Sequence, residues 1–264
     1  MAEERGLTLL PEIHAAYGEG SYRVLAEKGY MAYDFFLPGL LIDAIENRDP
    51  GYLVRWALEQ TRQGIRCVNM LGCHDGIPML DLKGLVPDER IQALIGLIVG
   101  RGGLIKNLHG QKNMYYQVNA TYYSALGCDP RKLLLARALQ LFMPGKPQVW
   151  YLDLFAGEND TEAVRRGGEA AHKEINRTNL SAEEIEKRLR LPIVRDQLTL
   201  LRIRNACGAF GFDAELSVEA PEAHAIAFTW RRGEQRATLR ADLASLAFTV
   251  TADTPEGTAV FTQP

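Results

Sequence analysis

Residues 65–78 read IRCVNMLGCHDGIP, and this stretch decides the fold. A short, largely apolar run, Ile65–Leu71, breaks on Gly72 and delivers His74 and Asp75 just before a second glycine, Gly76. Such a run bounded by turn residues is the pattern of a strand buried on both faces, as in a parallel sheet with polar groups at its tip. Working outwards, the same pattern recurs in Leu7–Ile13 (LTLLPEI), Tyr30–Leu37 (YMAYDFFL) and Pro147–Leu154 (PQVWYLDL). Glu12 and His14 end the first of these, and Asp153 lies near the end of the last.

Helical patterns separate the strands. They cover Ser21–Glu27, Leu40–Gln60 with a break at Asp49-Pro50-Gly51, a helix opened by Pro87-Asp88-Glu89, Asn119–Leu126, Arg131–Phe142, and Ala182–Arg204 bent near Leu191-Pro192. Gly102–Asn113 is glycine-rich and basic and reads as a loop, and Gly157–Arg177 reads as irregular. A length of 264 residues would suffice for a complete (β/α)8 barrel, so the count of strand–helix units decides the matter. There are four units, half a barrel. From about Phe210 the texture changes to short alternating runs at 215–219, 225–230, 237–241, 248–252 and 259–262, the signature of an antiparallel β domain. The expected organisation is a partial barrel over residues 1–208 and a small antiparallel β domain over 209–264.

Composition narrows the function classes. A net charge of -3 argues against a protein that coats nucleic acid. Cys67, Cys73, Cys128 and Cys207 form no CxxC pair and stand at no zinc-finger spacing from a histidine, which fits free thiols in a reducing compartment. No apolar run approaches the roughly 20 residues of a membrane helix, and the first residues lack a signal-peptide core. The expectation is a cytoplasmic protein that meets neither membrane nor nucleic acid.

The strand-tip acids are the candidates for chemistry, because the C-terminal ends of barrel strands hold the active sites of this architecture. Singly, each such carboxylate reads equally well as a structural cap. Glu12 and Asp75 together suit glycosidic bond cleavage, which needs one carboxyl to protonate the leaving oxygen and negative charge beside an oxocarbenium-like transition state. Metal binding is the competing reading, but no HExxH-type helical spacing supports it.

The runs LLPEIHAAYG, YDFFLP, CHDGIP, YYQVNATYYSALG, PGKPQVWYLDLFAGEND and KEINR occur in this order. Together they resemble the sucrose phosphorylase branch of glycoside hydrolase family 13, from residue 1 to about residue 210 and more weakly beyond. The resemblance implies strands 5–8 of a TIM (β/α)8 barrel followed by a C-terminal β domain, and no cofactor. It implies Glu12 as general acid/base, Asp75 as transition-state stabiliser and His74 as a glucosyl contact. The family's nucleophile is an aspartate in an Arg-x-Asp motif that precedes the PEIH strand, and this sequence begins eleven residues before Glu12. The expectation is therefore that the nucleophile and the first four strands are absent. The Arg-x-Asp at Arg240-Ala241-Asp242 is discounted because it falls in the predicted β domain.

The acceptor loop, residues 102–117, contains KNLHGQKNMYYQ, more basic than in sucrose phosphorylases themselves. It resembles the version found in members whose fructosyl unit carries a phosphate. His109 and Lys112 then become phosphate contacts and Tyr116 and Gln117 acceptor contacts, with a solvated basic loop as the alternative. Lys173 stands where an arginine is usual, keeping the charge without the bidentate fork. The implied partners are a sugar phosphate and inorganic phosphate, with a complementing N-terminal half or a homodimer as protein partners. The alternatives are an α-glucoside hydrolase or transglucosidase of the α-amylase family, or a non-catalytic sugar-phosphate-binding fragment.

Overall fold

The computed structural model describes residues 3–107, 115–168 and 171–264. Helix α1 (Ser21–Glu27) follows Gly20, whose left-handed φ of 69° turns the chain into it, and leads to strand β1 (Ala32–Asp34). Asp34 then caps the next helix: its Oδ1 accepts from the amides of Phe36 and Leu37 at 3.1 Å each, and its Oδ2 accepts from Trp56 Nε1 and Gln60 Nε2. That helix, α2 (Leu37–Asn47), begins with Pro38 in its first turn, where a missing N–H costs nothing. Pro38 thus starts a helix instead of merely closing a strand. Helix α3 (Gly51–Gln63) ends on Gly64 in the left-handed region and returns the chain to β2 (Cys67–Asn69).

The next segment departs from expectation. After β3 (Ile77–Pro78) and the anticipated helix α4 (Asp88–Gly100), residues read as a loop form β4 (Leu104–Asn107). It pairs antiparallel with β5 (Tyr115–Asn119), and β3 adds on β5's other side. The helix expected over Asn119–Leu126 shrinks to α5 (Tyr122–Ala125), capped by Thr121. Helix α6 (Pro130–Phe142) starts on Asp129, whose carboxylate accepts from the amides of Arg131 and Lys132.

The fourth expected strand is also shorter. Only β6 (Lys146–Pro147) is extended, and the run continues as helix α7 (Tyr151–Leu154). A brief apolar run fits either state, and here one turn of helix wins. Helix α8 (Thr161–Gly167) and a 3-10 turn (His172–Asn176) order much of the segment read as irregular. Helices α9 (Ala182–Arg188) and α10 (Pro192–Ala206) meet at the expected bend.

β1, β2 and β6 form one parallel sheet in the order β1-β2-β6. Leu7–Ile13, expected as a buried parallel strand, is not one: it joins no ladder, and Leu7, Leu9, Leu10 and Ile13 are 62%, 45%, 39% and 46% exposed. A strand needs a hydrogen-bonding neighbour to be one, and β1 remains the sheet's edge. All five expected C-terminal strands are present as β7 (Glu215–Glu219), β8 (Ala225–Arg232), β9 (Gln235–Asp242), β10 (Phe248–Thr254) and β11 (Gly257–Gln263). They form an antiparallel meander in which each strand pairs with its sequence neighbour. Arg240 to Asp242 lie in β9, where Asp242 Oδ1 accepts from the amides of Ala244 and Ser245, a turn-forming role.

A buried polar network ties the barrel part together. Arg137 of α6, fully buried, donates to Gln140 and, at 2.9 Å, to Gln197 of α10. Gln140 donates onward to the carbonyls of Asn69 and Gln148, and Gln197 to those of Asp153 and Leu154. Trp230 of β8 donates to the Phe142 carbonyl at 2.8 Å and fastens the meander to α6.

Burial pushes the Asp34 carboxyl up to about 6, against the hydrogen bonds that pull it down. Unfolded, it titrates near its ordinary value of 3.8. A group raised on folding binds more protons in the folded state, so its contribution to stability grows as pH falls from about 7 towards 4. Asp34→Asn should lower the unfolding free energy by about 2 kcal/mol or more, because an amide sets its own donors against Trp56 and Gln60. In urea titrations the gap between the two proteins should widen as pH falls across that window.

Candidate active site

The loop Gly72–Gly76 leaves the C-terminal end of β2 and is held from two sides. Below it, the Gly72 amide donates to Asp153 Oδ2 at 2.7 Å. Only glycine fits there, since a Cβ would stand 2.8 Å from Asp153 Oδ1. Asp153 itself is 1% exposed, and burial pushes its carboxyl up to about 6 despite the opposing charge of Arg137. On the other side, Asn176 Nδ2 donates to the carbonyls of Cys73 (3.0 Å) and Asp75 (2.7 Å), and Arg177 Nε donates to the His74 carbonyl at 2.8 Å.

This scaffold presents His74 and Asp75 to Glu12, and polar side-chain atoms of the three lie within 4.8 Å of one another. The approach is close even though Glu12 lies on the unpaired segment. Glu12 is exposed, as is the His74 side chain, while Asp75 is largely covered. Basic groups ring the acids. Lys173 Nζ donates to Asp75 Oδ1, with Arg177 Nη2 at 3.5 Å and His74 Nε2 at 4.0 Å from the same oxygen. Burial alone would raise the Asp75 carboxyl, but the Lys173 hydrogen bond and charge, with His74 and Lys106, hold it below its ordinary value. Burial and the charge of Lys173 depress the Lys106 ammonium. Burial, then Lys106, Lys173 and Arg177, do the same to the His172 imidazole, whose Nε2 is buried without a hydrogen-bond partner. A metal ion would have to displace the cations already on Asp75, so the cluster fits a metal poorly. It fits an anionic or hydroxyl-rich ligand well.

No family model matches the chain. The sucrose 6(F)-phosphate phosphorylase of Ilumatobacter coccineus is 52% identical over 260 residues, covering 95% of this chain and 49% of that protein. The protein of the same name from Thermoanaerobacterium thermosaccharolyticum is 37% identical, covering 94% of this chain and 51% of its own length. A crystal structure of sucrose 6F-phosphate phosphorylase from Thermoanaerobacter thermosaccharolyticum superposes with a TM-score of 0.89 at 34% identity, over 98% of this chain and 52% of the other. Over its matched length the chain is similar to the C-terminal half of these phosphorylases. It spans about half the length of the curated relatives it matches. The fold is that of the C-terminal part of a (β/α)8 enzyme together with its β domain.

Within that family framework, Glu12, His74, Asp75 and Lys173 are gathered in one place. Gln117 is fully buried in β5, its Nε2 donating to Asn119 Oδ1 at 3.3 Å and its Oε1 unpaired. Tyr116 lies on the same strand, and His109 and Lys112 fall outside the described residues. Asp153 sits in α7 instead of at a strand tip and supports the loop from beneath. Sequence reasoning missed Asn176, Arg177 and His172. Asn176 could have been suspected, since a lone amide inside KEINR suits backbone bonds to a neighbouring loop.

Lys173 makes a direct test possible. Lys173→Met should raise the titration midpoint of the Asp75 carboxyl, followed by carbon-detected NMR of the side chain. An unmoved midpoint would show that other groups hold Asp75 ionised.

Proposed function

We propose that this chain supplies the general acid/base and acceptor side of a retaining α-glucosyl phosphorylase acting on sucrose 6-phosphate or a related α-glucoside. The observation that carries the reading is the convergence of Glu12, His74 and Asp75 inside a ring of lysine, arginine and histidine, in a chain 52% identical to a protein named for this substrate. In the proposed reaction Glu12 protonates the departing fructosyl oxygen while a carboxylate nucleophile attacks glucose C1. Inorganic phosphate then displaces that carboxylate, with Glu12 in its deprotonated form, to give α-glucose 1-phosphate with net retention. Asp75 steadies positive charge at C1 and binds sugar hydroxyls beside His74. His109 and Lys112 carry the acceptor phosphate, Lys173 keeps positive charge beside Asp75 on the glucosyl side, and Tyr116 and Gln117 shape the acceptor side.

We place the nucleophile on the half of the relatives' length that this chain does not span. A second half-barrel there would also cover Glu12, providing the burial that suits a general acid. It would bury Leu7, Leu9, Leu10 and Ile13 as well, each contributing up to about 1.5–3 kcal/mol if fully covered. Residues 1–208 are assigned to the catalytic barrel and 209–264 to the C-terminal β domain. Among the described residues no helix is long and apolar enough to cross a membrane. The four free cysteines support a cytoplasmic setting.

The test is a chimera in which this chain replaces the matching half of the Ilumatobacter coccineus protein. It should release α-glucose 1-phosphate from sucrose 6-phosphate only when inorganic phosphate is present. Glu12→Gln should lower the rate by about 100-fold or more. Release of free glucose at the same rate with or without phosphate would identify a hydrolase instead. The isolated chain should show negligible turnover. Sedimentation of that chain alone distinguishes a homodimer from a monomer that awaits a complementing half.

A further inference from the structure

Arg204 is mostly buried, yet it has no carboxylate partner among the described residues. Its Nε donates to the Leu141 carbonyl at 3.0 Å, and its guanidinium stacks 3.6 Å from the centre of the Phe210 ring. Burial pulls its pKa down to about 10, and the Cys207 thiol, itself pushed up by burial, supplies no countercharge at neutral pH. A guanidinium withdrawn from water favours an anion beside it, so a position that could receive one is informative. Such a position exists. A cavity of about 210 Å³ opens between Gly145–Pro147 on one side and Arg204 with Phe210–Phe212 on the other. Lys146, exposed and in no ion pair with a described acid, lines it. Lys146 and Arg66 both stand over the Phe212 ring, at 6.0 and 4.7 Å from its centre. Asp213, close to this wall, is already engaged by Arg232 at 2.6 Å.

The place in the fold matters as much as the charge. Arg66 immediately precedes β2 and Lys146 begins β6, so the cavity lies at the N-terminal ends of the parallel strands. The cluster around Asp75 follows the C-terminal end of β2, at the opposite end of the same sheet. The cavity is below the roughly 300 Å³ typical of drug-sized ligand pockets, which suits a small ligand.

We propose that Arg204 and Lys146, beside Phe210 and Phe212, form a second anion site that takes a phosphate dianion, as inorganic phosphate or as the phosphate of a small monoester. Arg204 supplies the planar fork and Lys146 a mobile point charge, the combination that matches a doubly charged tetrahedral anion. Phe210, buried, walls the Arg204 side of the site, while Lys146 approaches from the exposed side.

The experiment follows the backbone amides of Gly145, Gly211 and Phe212 by NMR while the full chain is titrated with inorganic phosphate. These amides should shift saturably. Lys146→Gln should weaken the apparent affinity by about threefold or more and Arg204→Gln by about tenfold, as loss of a charge-assisted contact predicts. Lys146 is exposed, so its variant serves even if the Arg204 variant fails to fold. A parallel titration with α-glucose 1-phosphate separates the two sources: equal saturation supports a monoester, and none supports free phosphate. Absence of saturable shifts at these amides, shifts confined to Gly72–Gly76, or an unchanged affinity in Lys146→Gln would overturn the proposal.

Discussion

The guanidinium of Arg137 is the constraint around which the barrel part is organised. It is fully buried; its Nε and Nη1 find acceptors within the protein, while its Nη2 has no hydrogen-bond partner. Gln197 and Gln140 accept from those two nitrogens and pass the order on to Asn69 at the end of β2, to Gln148 just after β6 and to Asp153 and Leu154 at the end of α7. Asp153, set by that packing and facing the Arg137 charge, then receives the Gly72 amide. A chain of polar contacts therefore runs from the middle of α6 to the loop that carries His74 and Asp75. Replacing any link with an apolar residue would leave the next one unpaired, which explains how a polar core can fix a loop more narrowly than greasy packing would.

Much of this architecture was legible in the sequence. The helices announced themselves through signals such as Pro87-Asp88-Glu89 and the breaks at Asp49-Pro50-Gly51 and Leu191-Pro192, and the five C-terminal strands through alternation. The barrel strands were harder. Leu7–Ile13 has the composition of a strand, but strand character depends on a neighbour, which composition does not reveal. Pro147–Leu154 has a similar composition and its second half becomes a helix, because so short a run carries no periodicity long enough to choose. The hairpin of β4 and β5 was hidden by glycines and lysines that read as loop.

The candidate site divides in the same way. Glu12, His74 and Asp75 were visible as strand-tip residues, and Lys173 through its place in KEINR. Asn176 and Arg177 were not singled out, because their work is done on the backbone of a loop a hundred residues away in sequence. Contacts of that range are created by the fold and leave no local trace. The net result is an Asp75 carboxylate set among positive charges, which hold its pKa below the ordinary value.

The nearest-neighbour order of the C-terminal meander has a kinetic consequence. Each of its strands pairs with the one beside it in sequence, so every closure is short. The parallel sheet, by contrast, must join Val68 to Lys146 before β6 has a partner. Loop-closure entropy favours the meander as the part that forms first, and the long crossing as the slow step. Trp230, already seated in the meander, then offers its indole N–H to the end of α6 and gives the slower half a finished surface on which to assemble.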